Sequence, residues 1–196
     1  MGDNYEALVD CAATREQAAG LAREVVEILS RRSLIVPSLS SDCVLGGEGY
    51  PAGPGCADAY TVEDYGELQG NRFWTLRTSG VEIHTMPWVN LWGFTQFAGA
   101  VCPRCGRDRD EEFLEDVGNL VEDYMSSGVV PSVPCPACHA ASRIHDWSCD
   151  PHLGFVHFAV VFWNWPPFAS EDWTVNVPAL LQDHLKRPLV STFGGL

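Results

Sequence analysis

Two short cysteine pairs carry the clearest chemistry in this sequence. Both have the form C-P-x-C, and their members are Cys102, Cys105, Cys135 and Cys138. The two intervening residues let both sulfur atoms of a pair turn inward on a tight knuckle, and the proline presets a φ angle of the turn. Four thiolates complete the closed tetrahedron of a structural zinc ion. The sequence therefore predicts that these four cysteines bind one structural Zn²⁺ ion per chain.

The stretch from about residue 101 to residue 140 resembles the zinc-ribbon modules of many protein families, which also carry C-P-x-C knuckles. It departs from them because an acidic helix is threaded between the knuckles and because His139 follows the second knuckle where glycine is usual. Neither departure removes a ligand. The resemblance implies a metal-stabilised module and assigns the rest of the chain to no family. Two disulfides, or free buried thiols, are the alternatives, and both are less favoured in a reducing cytoplasm.

Further metal-binding side chains follow the second knuckle. They are His139, His145, Cys149 and His152. One of them could replace a cysteine as ligand or build a second site. Because their spacing matches no known site, we expect surface or hydrogen-bonded residues instead. The cysteines outside the knuckles are expected to be small buried apolar groups.

No catalytic motif is recognisable. The sequence has no P-loop, GxGxxG, G-x-S-x-G, HExxH or EF-hand pattern. His145-Asp146 and Cys149-Asp150 hold the residue types of a Cys-His-Asp set, but adjacent residues on a strand point to opposite faces. We therefore predict no catalytic residues. An enzyme or enzyme subunit with a structural zinc and an unrecognised active site remains an alternative.

The charge balance bears on the class of partner. With 26 acidic and 12 basic residues, the formal net charge is −14. Such a surface repels phosphate backbones, which disfavours the third hypothesis, a zinc-ribbon nucleic-acid binder, and also disfavours anionic membranes. Residues 1–13 lack the basic start of a signal peptide, and no apolar run reaches membrane-spanning length. We expect a cytoplasmic location.

The acidic and aromatic residues suggest a binding surface. The helix between the knuckles carries Glu111, Glu112, Glu115 and Asp116. Trp163 and Trp165 come at the exit of a buried strand, where we expect them to lie near the surface. Indole side chains are common anchors of protein interfaces, and acids attract basic partners. The first hypothesis is therefore a non-enzymatic, zinc-stabilised, protein-binding protein. A toxin-immunity-like protein that neutralises a basic partner would fit, as would an adaptor in a bacterial complex. The sequence does not indicate an oligomeric state.

Local patterns predict the elements that position these residues. Thr14 and Gln17 form a capping box ahead of a helix over about 15–31. Apolar residues that recur every three or four positions along the chain predict further helices. The predicted helices cover about 15–31, 110–126 and 177–186, and the predicted strands cover 5–11, 34–37, 73–77, 81–86, 155–163 and 189–193. Glycine and proline make residues 38–72 irregular.

The two ends of the chain look alike, since each reads strand, helix, basic pair, strand. We therefore predict an α+β fold, namely a ferredoxin-like sheet built from two βαβ halves with an inserted four-cysteine zinc ribbon that carries a helix. The predicted organisation is an N-terminal half over residues 1–100, the zinc-ribbon insertion over 101–140, and a C-terminal half over 141–196.

Overall fold

A computed structural model describes residues 3–61 and 72–195. Its helices are α1 (Arg15–Arg31), α2 (Cys56–Ala59), α3 (Glu111–Ser127) and α4 (Val177–Leu185). Its strands are β1 (Asn4–Val9), β2 (Tyr50–Pro51), β3 (Gly80–His84), β4 (Trp88–Val89), β5 (Gly99–Val101), β6 (Asp108–Arg109), β7 (Ser132–Pro134), β8 (Ala141–Arg143), β9 (Ser148–Asp150), β10 (Gly154–Val156), β11 (Ala159–Trp163) and β12 (Val190–Gly195). The protein is α+β, as predicted. Residues 62–71 of the predicted irregular segment lie outside the described residues.

The largest sheet has the strand order β12-β1-β11-β3-β2, and each neighbouring pair is antiparallel. It follows that β1 and β3, which flank β11, run parallel to each other and are connected through α1. In the same way β11 and β12 flank β1, run parallel, and are connected through α4. The sheet thus consists of two interlocked strand–helix–strand units plus the short edge strand β2.

Three strand predictions are wrong. Residues 34–37 form no strand, because Ile35 makes only an isolated bridge to Ala52 and Pro37 removes the next donor. Residues 73–75 form a short 3₁₀ turn, closed by the bond from the Leu76 amide to the Phe73 carbonyl at 3.0 Å, so no hairpin precedes β3. The apolar run 155–163 is two strands in different sheets, β10 and β11, because continuous apolar sequence does not mark where a chain changes sheet.

The first core lies between the large sheet and its two long helices. Leu8, Val160 and Phe162 point from the sheet toward α1 and α4, which contribute Leu21, Val25, Leu29, Leu181 and Leu185. The capping box at the start of α1 is present, with the Thr14 amide donating to Oε1 of Gln17 at 3.1 Å. The opposite face of the sheet is also covered, by residues around Cys43, Trp88 and Trp92.

A second core is built within the segment that separates β3 from β11. Its buried members are Val89, Ala100, Cys102, Phe113, Val117, Tyr124, Val133, Cys135, Ile144, Trp147, Leu153 and Phe155. Helix α3 supplies three of them, spaced so that one stripe faces inward. This core continues on both sides of the predicted 101–140 insertion. The predicted domain boundaries themselves stay a prediction.

The buried amide of Asn90 bonds to residues of the large sheet and of the segment between β3 and β11. Asn90 is fully buried, and three acceptors lie within hydrogen-bond distance of the two hydrogens on its Nδ2: the His152 carbonyl at 3.1 Å, Oγ1 of Thr192 at 2.8 Å and the Phe193 carbonyl at 3.0 Å. Its Oδ1 accepts from the Tyr5 hydroxyl and from the Gly93 amide. The side chain therefore ties the large sheet to the segment that carries the second core.

In the described part of the chain, no helix combines the length and apolar character needed to cross a membrane.

Candidate metal centre

The two cysteine knuckles have the same backbone geometry. In the first, the Cys102 amide donates to the Arg107 carbonyl at 3.0 Å and the Gly106 amide returns to the Cys102 carbonyl at 3.0 Å. In the second, the Cys135 amide donates to the Ala140 carbonyl at 2.9 Å and the His139 amide returns to the Cys135 carbonyl at 2.7 Å. Each knuckle is thus closed by bonds within six residues, which is why its form is readable from local sequence.

The four sulfur atoms converge on one point. All four Sγ atoms lie within 4.8 Å of one another. The Sγ atoms of Cys102 and Cys138 are 3.9 Å apart, and those of Cys105 and Cys135 are 3.8 Å apart. A tetrahedron with Zn–S bonds of about 2.3 Å has edges of about 3.8 Å. The cluster therefore has the size that a four-thiolate metal site requires, and the prediction that these cysteines come together is confirmed.

Two of the cysteines anchor the site in the second core. Cys102 follows β5 and Cys135 follows β7, and both are buried, whereas Cys105 and Cys138 are exposed. Strand β5 belongs to the sheet β6-β5-β9 and β7 belongs to the separate pair β7-β8. An ion held by all four sulfurs would join these two small sheets, and the two-stranded pair β7-β8 would be at most marginally stable by itself.

Electrostatics in the cluster favour a bound cation. The amides of Cys138 and Ala137 donate to the sulfur of Cys135 and lower its pKa to about 6. At Cys105 the Arg107 amide favours the thiolate, but desolvation and the three neighbouring thiols outweigh it and raise the pKa to about 12. One thiol therefore ionises readily, and its negative charge disfavours ionisation of the neighbouring thiols. All four can ionise together only when a cation compensates their charge.

The donor set also restricts the metal. Four sulfur ligands in a tetrahedral arrangement suit soft or borderline ions such as zinc, and they do not suit Mg²⁺ or Ca²⁺, which take oxygen. Among the residues that the structure describes, this is the only group of three or more metal-binding side chains that could hold an ion. His139, His145, Cys149 and His152 are not members of it.

The residue after each knuckle adopts a left-handed conformation, with φ of 70° at Gly106 and 59° at His139. We expect Gly106→Ala to lower the free energy of unfolding by about 1 kcal/mol, because a Cβ is strained at this φ. Nothing lies within 4 Å of the position that the Cβ would take, so the backbone alone is tested. His139→Gly should raise stability by about 0.5 kcal/mol, because it removes the strain of a Cβ at this φ. The gain is partly offset, since glycine gives the unfolded chain more conformational freedom. Urea unfolding of the zinc-loaded variants measures both, and a stabilising Gly106→Ala would contradict this account.

The histidines beyond the second knuckle have structural hydrogen bonds. Nε2 of His145 lies 2.7 Å from the Phe155 carbonyl, and Nδ1 of His152 accepts from the Gly154 amide at 3.2 Å. Burial lowers the pKa of His152 to about 4, and the neighbouring His145 acts in the same direction when it is protonated. Burial also lowers the pKa of His145. Both imidazoles are therefore neutral at physiological pH.

The structure contains one contact between a cysteine and a histidine side chain that was not predicted from the sequence. Sγ of Cys11 lies 3.6 Å from Nε2 of His152, although the two residues are 141 positions apart. Burial and the Asp10 charge raise the pKa of this thiol to about 11. A nucleophilic cysteine needs a lowered pKa, so the pair lacks the electrostatics of a reactive Cys-His dyad. No local pattern could have revealed it.

The predicted partner-binding residues divide into two groups. Glu111, Glu112, Glu115 and Asp116 are all exposed on α3. Trp163 and Trp165 are only 6% and 3% exposed, so the prediction that they lie near the surface is wrong. Trp163 ends β11 in the centre of the sheet, and Trp165 packs into the first core against Phe73 and Phe162. The apolar run ends at Trp163 because strand β11 ends there, and the chain is still buried at this point.

Comparison with known proteins gives no family. The chain matches no protein-family model, no curated protein and no solved structure at a significant level. Its function must therefore be inferred from the chemistry of its own residues, and the four-cysteine cluster is the most specific chemistry that the described residues contain.

Proposed function

We propose that this chain is a non-enzymatic binding protein whose second core is held together by one structural zinc ion. The observation that carries the proposal is the convergence of four sulfur atoms at tetrahedral-edge distances. Four protein ligands fill the coordination shell of zinc and leave no position for a water or substrate. The ion would therefore act on stability, with Cys102, Cys105, Cys135 and Cys138 as its ligands.

We infer that the strands β12-β1-β11-β3, with α1 and α4, form a ferredoxin-like sheet, since that arrangement also interlocks two βαβ units in an antiparallel sheet. The zinc-ribbon-like module would then be inserted between its second and third strands. The support is the strand order and the two equivalent knuckles.

The acidic face of α3 is the surface proposed to meet a partner. Its exposed carboxylates are Glu111, Glu112, Glu115, Asp116, Glu122 and Asp123. Among the described residues, only Asp116 of this set has an ion-pair partner, Arg109 at 3.0 Å. A field of uncompensated charge raises the association rate of an oppositely charged protein. The partner proposed is therefore a basic protein.

A charge-matched pair of variants tests this surface. The first changes Glu111, Glu112 and Glu115 to Gln and Asp116 to Asn. The control changes the exposed residues Glu16, Glu24 and Glu171 to Gln and Asp183 to Asn, which removes the same total charge away from α3. We expect the α3 variant to associate with the basic partner on the order of tenfold more slowly at low salt, and the control to stay within about twofold.

The measurement is quantitative capture of partners from the native host, followed by association kinetics with the purified partner at two ionic strengths. An equal decrease in association rate in both variants would show that only the net charge of the protein matters, which would contradict a binding surface on α3. Absence of any basic partner, together with substrate turnover by the purified protein, would reject the proposed function.

A further inference from the structure

An aromatic pocket opens on the face of the large sheet that turns away from α1 and α4. Four aromatic side chains line this cavity of about 220 Å³: Tyr5, Trp88, Trp92 and Trp163. The ring centroid of Tyr5 lies 5.0 Å from that of Trp163, 5.5 Å from that of Trp92 and 6.5 Å from that of Trp88. Tyr5 and Trp163 face each other directly across β1 and β11. The register of β1 and β11 thus brings Tyr5 and Trp163 together, whereas Trp88 comes from β4 and Trp92 from a 3₁₀ turn after it.

The burial of these residues defines a floor and a mouth. Tyr5 and Trp163 are 5% and 6% exposed and form the floor. Trp88 and Trp92 are half-buried walls, and Leu45 and Leu91, at 47% and 56% exposed, stand at the mouth. Pockets for whole drug-sized ligands occupy about 300–1,000 Å³. A smaller cavity with an apolar rim suits the head group of a ligand whose remainder stays outside.

A single carboxylate lines the pocket. Oε2 of Glu82 accepts from the indole Nε1 of Trp163 at 2.9 Å, and Oε1 lies 3.4 Å from Nε2 of His84. Burial acts to raise the pKa of Glu82, but the hydrogen bonds from His84 and Trp163 and the charge of His84 outweigh it, so this pKa lies below its usual value. Glu82 is therefore ionised at neutral pH. Among the described residues, no Lys or Arg lines the pocket or pairs with this carboxylate, and its one basic neighbour, His84, compensates the charge only when it is protonated.

These features select a particular kind of cation. Aromatic faces attract positive charge, and a buried carboxylate strengthens that attraction. A primary ammonium or a guanidinium would need several hydrogen-bond acceptors to replace its water. Here Glu82 and Tyr5 supply the only side-chain oxygens among the described lining residues, each oxygen of Glu82 already has one partner, and the Tyr5 hydroxyl donates to Asn90. The side chains therefore offer too few acceptors for all the donors of such a cation. A quaternary ammonium has no donors to satisfy, and its methyl groups match the apolar walls.

We propose that the aromatic pocket of Tyr5, Trp88, Trp92 and Trp163 binds a trimethylammonium group, with Glu82 as its counter-ion. The site is separate from the cysteine cluster and from the acidic face of α3. It does not depend on the proposed function. The group could belong to a small quaternary amine or to a trimethylated lysine side chain of a protein, and the two sources share the same recognition chemistry.

Proton–nitrogen correlation spectra of the labelled zinc-loaded protein test the proposal, with choline as the probe. The seven tryptophans give seven indole signals. We expect choline to shift those of Trp88, Trp92 and Trp163 and to leave those of Trp74, Trp147, Trp165 and Trp173 in place. The neutral isostere of choline, in which tert-butyl replaces trimethylammonium, should bind at least about tenfold more weakly, because it lacks the cation–π and ionic attraction.

A matched pair of variants locates the charge. Glu82→Gln keeps an acceptor for the Trp163 indole and should weaken choline binding at least about tenfold. Glu6→Gln removes the same charge from the sheet, but Glu6 accepts from the Phe168 amide on the opposite face, and binding should be unchanged. Equal affinity for choline and its isostere, unaltered binding by Glu82→Gln, or no shift of the three indole signals at saturating probe would overturn the proposal. The isostere comparison uses the wild-type protein, so it holds even if a variant folds poorly.

A trimethyllysine peptide distinguishes the two sources. Binding more than about tenfold tighter than choline would show that contacts around Leu45 and Leu91 add to the head group, as expected for a protein-borne ligand. Equal affinity would assign the pocket to a small quaternary amine. Either result supports the trimethylammonium site.

Discussion

Replacing Cys102 or Cys135 by Ser is expected to abolish stoichiometric zinc binding and to lower the free energy of unfolding by about 4 kcal/mol or more. Loss of a structural metal belongs to the small set of changes with effects this large. The binding energy of such an ion is folding energy, since no preformed site exists in the unfolded chain. For a protein of this length, that cost lowers Tm by about 10 °C. Metal analysis and thermal unfolding measure the two effects.

The control for this prediction is Cys149→Ser. Cys149 lies on β9 in the same sheet as β5, and it is a half-buried thiol outside the four-sulfur cluster. This variant should keep about one zinc ion per chain and lose no more than about 1 kcal/mol. Removal of the metal from the wild-type protein by a strong chelator should lower its stability by about as much as Cys102→Ser does. A wild-type chain that folds with equal stability after complete metal removal would contradict the structural role of the ion.

Asn90→Ala is the second change with a large expected effect, about 3–5 kcal/mol of lost stability. The substitution removes the acceptor of the Tyr5 hydroxyl and of the Gly93 amide, and it removes the donor near the Phe193 carbonyl. The Thr192 hydroxyl and the His152 carbonyl keep their own bond at 2.6 Å. Each buried polar group left without its partner costs about 1–3 kcal/mol, although rearrangement recovers part of the sum. Chemical denaturation followed by tryptophan fluorescence gives the change directly.

Asn119→Ala is the matched control for Asn90→Ala. Asn119 is exposed on α3, and its Nδ2 has one hydrogen bond, to the Glu115 carbonyl at 2.9 Å. We expect a change within about 0.5 kcal/mol. Gly93→Ala offers an independent check, since its Cβ would lie 2.3 Å from Nδ2 of Asn90 and would force the amide out of place. Stability of Asn90→Ala within 1 kcal/mol of the wild-type protein would show that Asn90 does not tie the large sheet to the segment that carries the second core.

Elements with local causes were predicted well. The capping box of Thr14 and Gln17 placed α1 at Arg15–Arg31, and apolar spacing placed α3 and α4 within one residue of their observed ends. The knuckles depend on bonds that span six residues, so their closed geometry follows from C-P-x-C and the residue after it. In these cases the interacting groups are near neighbours in the chain.

Strands were predicted less well because their existence depends on distant partners. Leu34 and Ile35 are buried and apolar, as in a strand, but they pack under α1 and find only one bridge partner. The run 155–163 reads as one strand, yet its first part pairs with β4 and its second part with β1 and β3. Apolar composition predicts burial in both cases and does not say which neighbour supplies the hydrogen bonds.

The four clustered cysteines, the long helices and the acidic face of α3 were predictable from the amino-acid sequence, because each depends on the spacing of residues that are near neighbours in the chain. Two contacts could not be predicted from the sequence, namely the bond from the Trp163 indole to Glu82 in the aromatic pocket and the bonds by which Asn90 ties the large sheet to the second-core segment. Those contacts link residues 81 and 102 positions apart. Their geometry depends on the register of antiparallel strands, where a shift of one residue would turn every side chain to the other face of the sheet.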